Sequence, residues 1–546
     1  MKARPFLQGA GFATLYIALY AADFLNPTVG DAYHRFFPLT TIYRAILLLT
    51  LLLWVAGGLA FWTLERMSPL WKRIFWLMPI VLLPWLFFCS MTAISFVSTE
   101  STLPFQMLRL RRWTTPAFGA VALLLLIVKP KLYDRCVNGI RYCYMVAGFG
   151  LLVILPRIGF MALKSGSPER PGFERAGLPE VSPDAARIVW ILMDELSYDQ
   201  AFASRQPDVQ LPNFDRLAQT SVSFSDLQPP APAPGPGSMT EDVLPALMLG
   251  KSVVALQKPY LAPLAYRTRP GTPWHTFNEN DTIFGDARSL GWSTGLAGWY
   301  NPYCRLLPNV LDRCVWVYSE PAVDGLSRAL SSQKSIVQNM VQMTPLPDTL
   351  NTRIHGLRNE DVQTHTNDYL SVMAHAKDLI QDSRIRFAFI HLPIPHPPGI
   401  YDRVHHVING HGSYLDDLVL ADESLGTLEE VLQSTPAAAN TVLILSSDHS
   451  WRPFLWKGTP DWSEEAEAAT HGNFDPRPVL MIHLPGQQTA HLIAKPVNVL
   501  ITHTILEGLL HGQIRDAADV DRLIDARPQQ SIALQSAKAS DPQARN

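Results

Sequence analysis

Residues 441–450, TVLILSSDHS, restrict the chain more than any other stretch. The first five are β-branched or aliphatic, which predicts a buried strand of a parallel sheet. The run ends in Asp448 and His449, a carboxylate beside an imidazole. In open α/β sheets ligands bind in the crevice beyond the carboxyl ends of the strands. The pair is therefore half of a candidate metal site, with a surface turn carrying two polar residues as the alternative.

The same arrangement recurs. Residues 188–193, IVWILM, form an apolar run of strand length ending in Asp194 and Glu195. Residues 386–390, RFAFI, form another, with His391 and His396 at or just beyond its end in HLPIPHPP. His471 precedes a further strand over 479–483. Between these runs lie helical stretches. Residues 414–433 place Leu415, Leu418, Val419, Leu425, Leu428 and Leu432 on one apolar face. LPNFDRL at 211–217 reads as a short helix start with Asn213 as its cap. After the stiff loop QPPAPAPGPG comes SMTEDVLPALMLGK, where Thr240 sits at the start of a helix, at the positive end of its dipole. Strands alternating with helices indicate an α/β sandwich with a mostly parallel central sheet.

The hydrophobic share, 47%, is high for a soluble protein, and the excess sits in the first 165 residues. Five apolar segments, at 6–25, 46–64, 74–97, 114–128 and 143–163, read as membrane helices, since about 20 residues cross a hydrocarbon core. Lys2 and Arg4, then Arg66, Lys72 and Arg73, then Lys129, Lys131, Arg135 and Arg141 mark alternate loops as cytoplasmic. That topology puts everything after the fifth segment on the far side, which is the periplasm in a bacterial inner membrane. Arg109, Arg111 and Arg112 beside Trp113 break the charge rule; they read as an interfacial helix with solvated arginines or as a holder of lipid phosphates. The expected domains are a five-helix transmembrane domain (1–164), a linker (165–185), a periplasmic domain (186–526) and a disordered tail (527–546). In an oxidising compartment Cys304 and Cys314 would close a short loop as a disulfide. A net charge of -3 leaves no nucleic-acid footprint.

In motif order, strand-Asp194, LPNFDRL, a hydroxyl ahead of LPALMLGK, the YLDDLVLADESLGTLEEVL helix and SSDH, the chain resembles the alkaline phosphatase and sulfatase superfamily over roughly residues 185–490. The membrane segments narrow the resemblance to phosphoethanolamine and phosphoglycerol transferases. It implies an alkaline-phosphatase-like sandwich and a divalent metal, zinc or else manganese, on Asp194, Thr240, Asp448 and His449. Thr240 would be the nucleophile, with His396 and His471 binding substrate phosphate or a second metal. The implied partners are a phospholipid donor, a lipid or glycan acceptor, and the membrane. Three features depart from the family: Ser450 stands where glycine is usual, PHPP replaces histidine-glycine-proline, and the double acid Asp194-Glu195 offers two ligands. Ser238 is an alternative hydroxyl. A sulfatase-like hydrolase and a catalytically inactive lipid sensor of the same fold are the competing readings. No Cys/Ser-x-Pro-x-Arg pattern surrounds Thr240, which disfavours sulfate-ester hydrolysis.

Overall fold

A computed structural model describes residues 4–20, 39–77, 117, 119–164, 172–258, 263–318 and 358–526. The chain divides into two compact units, with the main boundary between Glu169 and Arg170.

The first unit is helical: α1 (Arg4–Tyr20), α2 (Leu39–Leu64), α3 (Pro130–Gly148) and α4 (Leu151–Lys164). Small residues let α1 and α2 approach backbone to backbone, because a Cβ on Gly9 would stand 2.3 Å from the Gly58 nitrogen. Trp54 Nε1 on α2 donates to the Phe6 carbonyl at 2.9 Å and ties the pair. Among the described residues two stretches are long and apolar enough to cross a membrane, Ile46–Leu64 and Pro130–Leu163. The second and fifth expected spans fall within these two stretches. The first is described only through Tyr20 and the third only to residue 77, while the fourth is the short apolar helix Gly119–Val128. The cluster Arg109–Arg112 with Trp113 and the tail at 527–546 lie outside the described residues.

The second unit is a sheet covered by helices. The strands of its large sheet are β1 (Gly172–Glu174), β2 (Arg187–Met193), β3 (Val222–Phe224), β4 (Thr294–Trp299), β5 (Arg313–Val317), β6 (Phe387–Leu392), β7 (Thr441–Ser447), β8 (Leu480–His483) and β9 (His491–Ile493). They lie in the order β1-β5-β4-β6-β2-β7-β8-β3-β9. The five middle strands, β5 to β7 in that order, are parallel, and β1 and β8 pair antiparallel at their sides. β2, β6 and β7 are buried at every position, as their largely apolar runs require for strands covered on both faces. Part of the stretch read as linker is the edge strand β1, pinned because Arg175 donates to the carbonyls of Pro308, Asn309 and Leu311.

Helices of this unit include α5 (Pro212–Ala218), α6 (Thr240–Leu249), α7 (Ile283–Ser289), α8 (Arg358–Gln381), α9 (Tyr414–Gln433), α10 (Glu464–Thr470) and α11 (Ile501–Leu510). Alternate residues of β2 serve opposite faces. Val189, Ile191 and Met193 pack with Val372, Ala376 and Leu379 of α8 and with the predicted apolar face of α9. On the other face Trp190 meets Phe389 of β6, and Phe284 of α7 stacks on Phe387. The cap of α5 differs from expectation. Leu211 holds the cap position, and Asp422 of α9 accepts from the amides of Asn213 and Phe214 and from the Asn213 side chain. Asn213 is thus held by the carboxylate that caps the helix.

Candidate metal centre

β2 and β7 are paired with Met193 opposite Ser447, so the next residues, Asp194 and Asp448, emerge side by side. Both carboxylates are fully buried, His449 is 1% exposed and Thr240 6%. Thr240 is the first helical residue of α6, after an extended Met239. Its Oγ1 donates to Asp194 Oδ2 at 3.3 Å and lies 3.0 Å from His449 Nε2. His449 Nδ1 faces the Ser450 carbonyl at 3.0 Å, which assigns the ring proton to Nδ1 and leaves a lone pair on Nε2. That lone pair stands 3.1 Å from Asp448 Oδ2 and 3.8 Å from Asp194 Oδ1.

Asp448 divides its two oxygens. Oδ1 accepts from the backbone amides of Glu195 and His449 at 3.1 and 2.8 Å. Oδ2 is buried without a hydrogen-bond partner. One ligand atom each from Asp194, Asp448 and His449 fall within 4.8 Å of one another. Lone pairs converging on one point, with Asp448 Oδ2 left unpartnered, are stabilised by a cation between them, so these residues fit a divalent metal. The mixed nitrogen and oxygen donors suit zinc or manganese.

Charge points the same way. Burial pushes Asp194, Glu195 and Asp448 up to about 7, with neighbouring acids adding to the rise of Glu195 and Asp448. Against these three stands one buried cation, Arg452. Burial, reinforced by Arg452, holds His449 well below the ordinary histidine range, so the imidazole is neutral and able to ligate.

The two adjacent acids part company at the backbone. Glu195 has φ of 62°, a left-handed conformation rare for a residue with a side chain. Its carboxylate pairs with Arg452 and accepts from Trp456 Nε1 at 3.0 Å, while its neighbour Asp194 faces Thr240. Ser450, where glycine was expected from the resemblance, is buried and bonds Ser197 Oγ at 3.0 Å. Ser238 Oγ closes its own turn onto the Gly235 carbonyl at 3.0 Å.

The structure thus brings together Asp194, Thr240, Asp448 and His449. His396 is half-buried between Trp299 and Trp456, with ring centres 5.4 and 5.2 Å away, and the second of these indoles holds Glu195. His471 is the exposed, left-handed end of α10, and among the described residues no contact joins it to the four. The sequence placed His391 at or just beyond a strand end. It lies within β6, fully buried, with Nδ1 2.7 Å from the Tyr303 hydroxyl and Nε2, without a hydrogen-bond partner, 3.6 Å from Asp194 Oδ2. Its direction follows from the strand register: His391 pairs with Leu192, which faces the same side as Asp194 two residues on. Arg452 was also missed. Cys304 and Cys314 are joined, as expected for an oxidising compartment.

No family model matches the chain, and no curated protein matches it. Solved structures give distant similarities. A phosphonate monoester hydrolase of Agrobacterium radiobacter is 16% identical, covering 63% of this chain and 78% of its own, at a TM-score of 0.36. A 2-O GAG sulfatase is 12% identical over 63% and 75%, at 0.37. A protein in the alkaline phosphatase superfamily from Vibrio parahaemolyticus is 15% identical over 59% and 66%, at 0.33. At such TM-scores the similarity carries no weight of its own, and the functional reading rests on the residues of the site.

Proposed function

We propose that this chain is a membrane-attached, metal-dependent transferase. It moves a phospholipid-derived phosphoryl head group, of phosphoethanolamine or phosphoglycerol type, through phospho-Thr240 to a lipid or glycan hydroxyl. The observation that carries the reading is the buried Thr240 hydroxyl at the start of α6, within 3.3 Å of both Asp194 and His449. A threonine hydroxyl is a weak nucleophile until a base or a metal activates it. Here two acceptors, Asp194 Oδ2 and His449 Nε2, draw on its one proton.

Asp194, Asp448, His449 and Thr240 Oγ1 would hold the divalent ion, which when bound supplies Lewis-acid activation and neutralises phosphoryl charge. In the first half-reaction the bond from Thr240 Oγ1 to phosphorus forms, the ester bond to the lipid breaks, and diacylglycerol leaves with a proton. In the second, an acceptor hydroxyl attacks the same phosphorus, gives up its proton and frees Thr240. The amino end of α6 favours the developing anion. His396, kept neutral by burial and by nearby Arg452, would donate or accept a hydrogen bond at the substrate. The two helices able to span a membrane and the Cys304–Cys314 disulfide support an inner-membrane protein with this unit in the periplasm.

Intact-protein mass spectrometry after incubation with phosphatidylethanolamine or phosphatidylglycerol vesicles tests this. A head-group adduct on Thr240, absent from Thr240→Ala, is expected. Ester turnover into water, with no transfer to any acceptor, would make the protein a hydrolase. Neither adduct nor turnover from metal-loaded protein would leave an inactive lipid-binding relative and end the proposal.

A further inference from the structure

Away from the strand ends, a second set of ligand-type side chains meets where α7 and α11 pack together. Asp286 lies on α7. His503 and Glu507 lie one turn apart on α11 and so share a helix face. One ligand atom from each of the three falls within 4.8 Å of the others. His503 is 7% exposed, and the two acids are half-buried.

The spacing suits two ligands of one ion better than a hydrogen bond. His503 Nε2 stands 3.5 Å from Glu507 Oε1. An N–H···O bond is usually about 2.7–3.2 Å long. Two ligands of a tetrahedral zinc, each about 2.1 Å from it, stand about 3.4 Å apart. His503 Nδ1 is buried without a hydrogen-bond partner of ordinary geometry among the described residues, although the carbonyls of Leu247 and Met248 lie near the ring. A buried imidazole left this way is a ligand in search of an ion more than a settled packing residue.

The ring is also fixed in place. α6 ends at Gly250, whose φ of 63° is left-handed. A Cβ there would stand 2.5 Å from His503 Cδ2, so the imidazole lies on bare backbone at the end of the helix that begins with Thr240.

We propose that Asp286, His503 and Glu507 form a second divalent-metal site, zinc-type by its mixed nitrogen and oxygen donors, which clamps α7 and α11 against the carboxyl end of α6. Three protein ligands leave one position for water. The carboxyl end of a helix carries partial negative charge, which a cation beside it offsets. Because its two carboxylates are half-exposed, this site holds its ion more weakly than a fully buried one. It fills only at zinc levels far above those that saturate the centre at Asp194, Asp448 and His449. The inference does not depend on the chemistry proposed for Thr240.

The test uses full-length protein carrying Asp448→Asn and His449→Gln, which removes two ligands of the buried centre. Zinc per chain is counted by elemental analysis after equilibrium dialysis, and hydrogen exchange is followed at the amides of α6. One ion per chain is expected. Adding Glu507→Gln, which preserves the shape of a half-exposed side chain, should weaken binding about 10-fold or more, as should His503→Gln. Zinc at ten times its dissociation constant should slow exchange in the last turn of α6 about 10-fold, and Glu507→Gln should abolish that protection. No ion on the starting variant, or an ion that survives both further substitutions, would overturn the site. An ion that binds there and leaves α6 exchange unchanged would overturn the clamp.

Discussion

Trp190 Nε1 donates to Ser446 Oγ at 2.7 Å, across the two parallel strands that end in Asp194 and Asp448. Both residues are fully buried, so the indole has no water to turn to. The bond holds the register on which the metal centre depends. Ser446→Ala strands the N–H and should cost about 1–3 kcal/mol of stability. Chemical denaturation measures it; a loss within error of zero would mean that the strand ladder alone sets the register.

Thr240 is where the proposed chemistry begins. Thr240→Ala should lower turnover by about 10⁴-fold or more, as removal of a nucleophile does elsewhere. Thr240→Ser keeps an oxygen at the same place and should retain measurable activity and the adduct. Steady-state kinetics on both variants checks this, and an active alanine variant would move the nucleophile away from Thr240.

Metal should act on folding as well as on catalysis. Asp448 Oδ2 and His449 Nε2 face each other without a donor, a contact that a cation turns from repulsive to attractive. Zinc at a hundred times its dissociation constant should add about 2.7 kcal/mol of stability. Chelation should lower the Tm of the wild type, and Asp448→Asn should abolish the dependence. A Tm indifferent to chelator and zinc in the wild type would count against the site.

Asp382 supplies a pH dependence away from the centre. Burial raises its pKa, but hydrogen bonds from Arg384 and Arg313 outweigh that, so the folded value lies below the ordinary one. A depressed carboxylate contributes stability above its unfolded pKa, and the contribution is lost as pH falls through the folded value. Asp382→Asn should therefore destabilise by about 1–2 kcal/mol at neutral pH, with the gap to wild type closing below about pH 4. Urea melts across that range would expose a gap that stays open.

The bond between Cys304 and Cys314 closes a short loop beside Tyr303, whose hydroxyl meets His391. Replacing both cysteines with alanine should cost about 2–3 kcal/mol, the entropy of a loop of that size. Alkylation of protein from intact cells, read by mass spectrometry, should leave these two unlabelled until a reductant is added. Free thiols there would argue against a periplasmic location.

Asp194, Asp448 and His449 were legible because they stand at the ends of largely apolar runs, and a buried parallel strand has few ways to end. Thr240 was legible from its place before a helical pattern. His391 was not, because its direction depends on β6 lying between β4 and β2, an adjacency that no local pattern records. Arg452 was hidden for a related reason: its partner is turned toward it by a left-handed residue, and sequence marks such a conformation only where glycine or asparagine takes it. Asn213 looked like a cap because its type suits one, whereas the capping carboxylate comes from α9, far along the chain. The apolar segments were visible as composition, yet composition does not say which of them form long helices.

Sheet order also dictates how the chain must be delivered. Trp190 precedes its partner Ser446 by 256 residues, and β2 lies between β6 and β7, both encoded late. A chain emerging amino end first therefore presents β2 with both edges bare. Long-range pairing of this kind folds slowly and invites aggregation while it waits. Expression of this protein should depend on chaperones to a degree that its finished stability would not suggest, and a chain truncated before residue 441 would leave β2, the strand that leads into Asp194, without its partner β7.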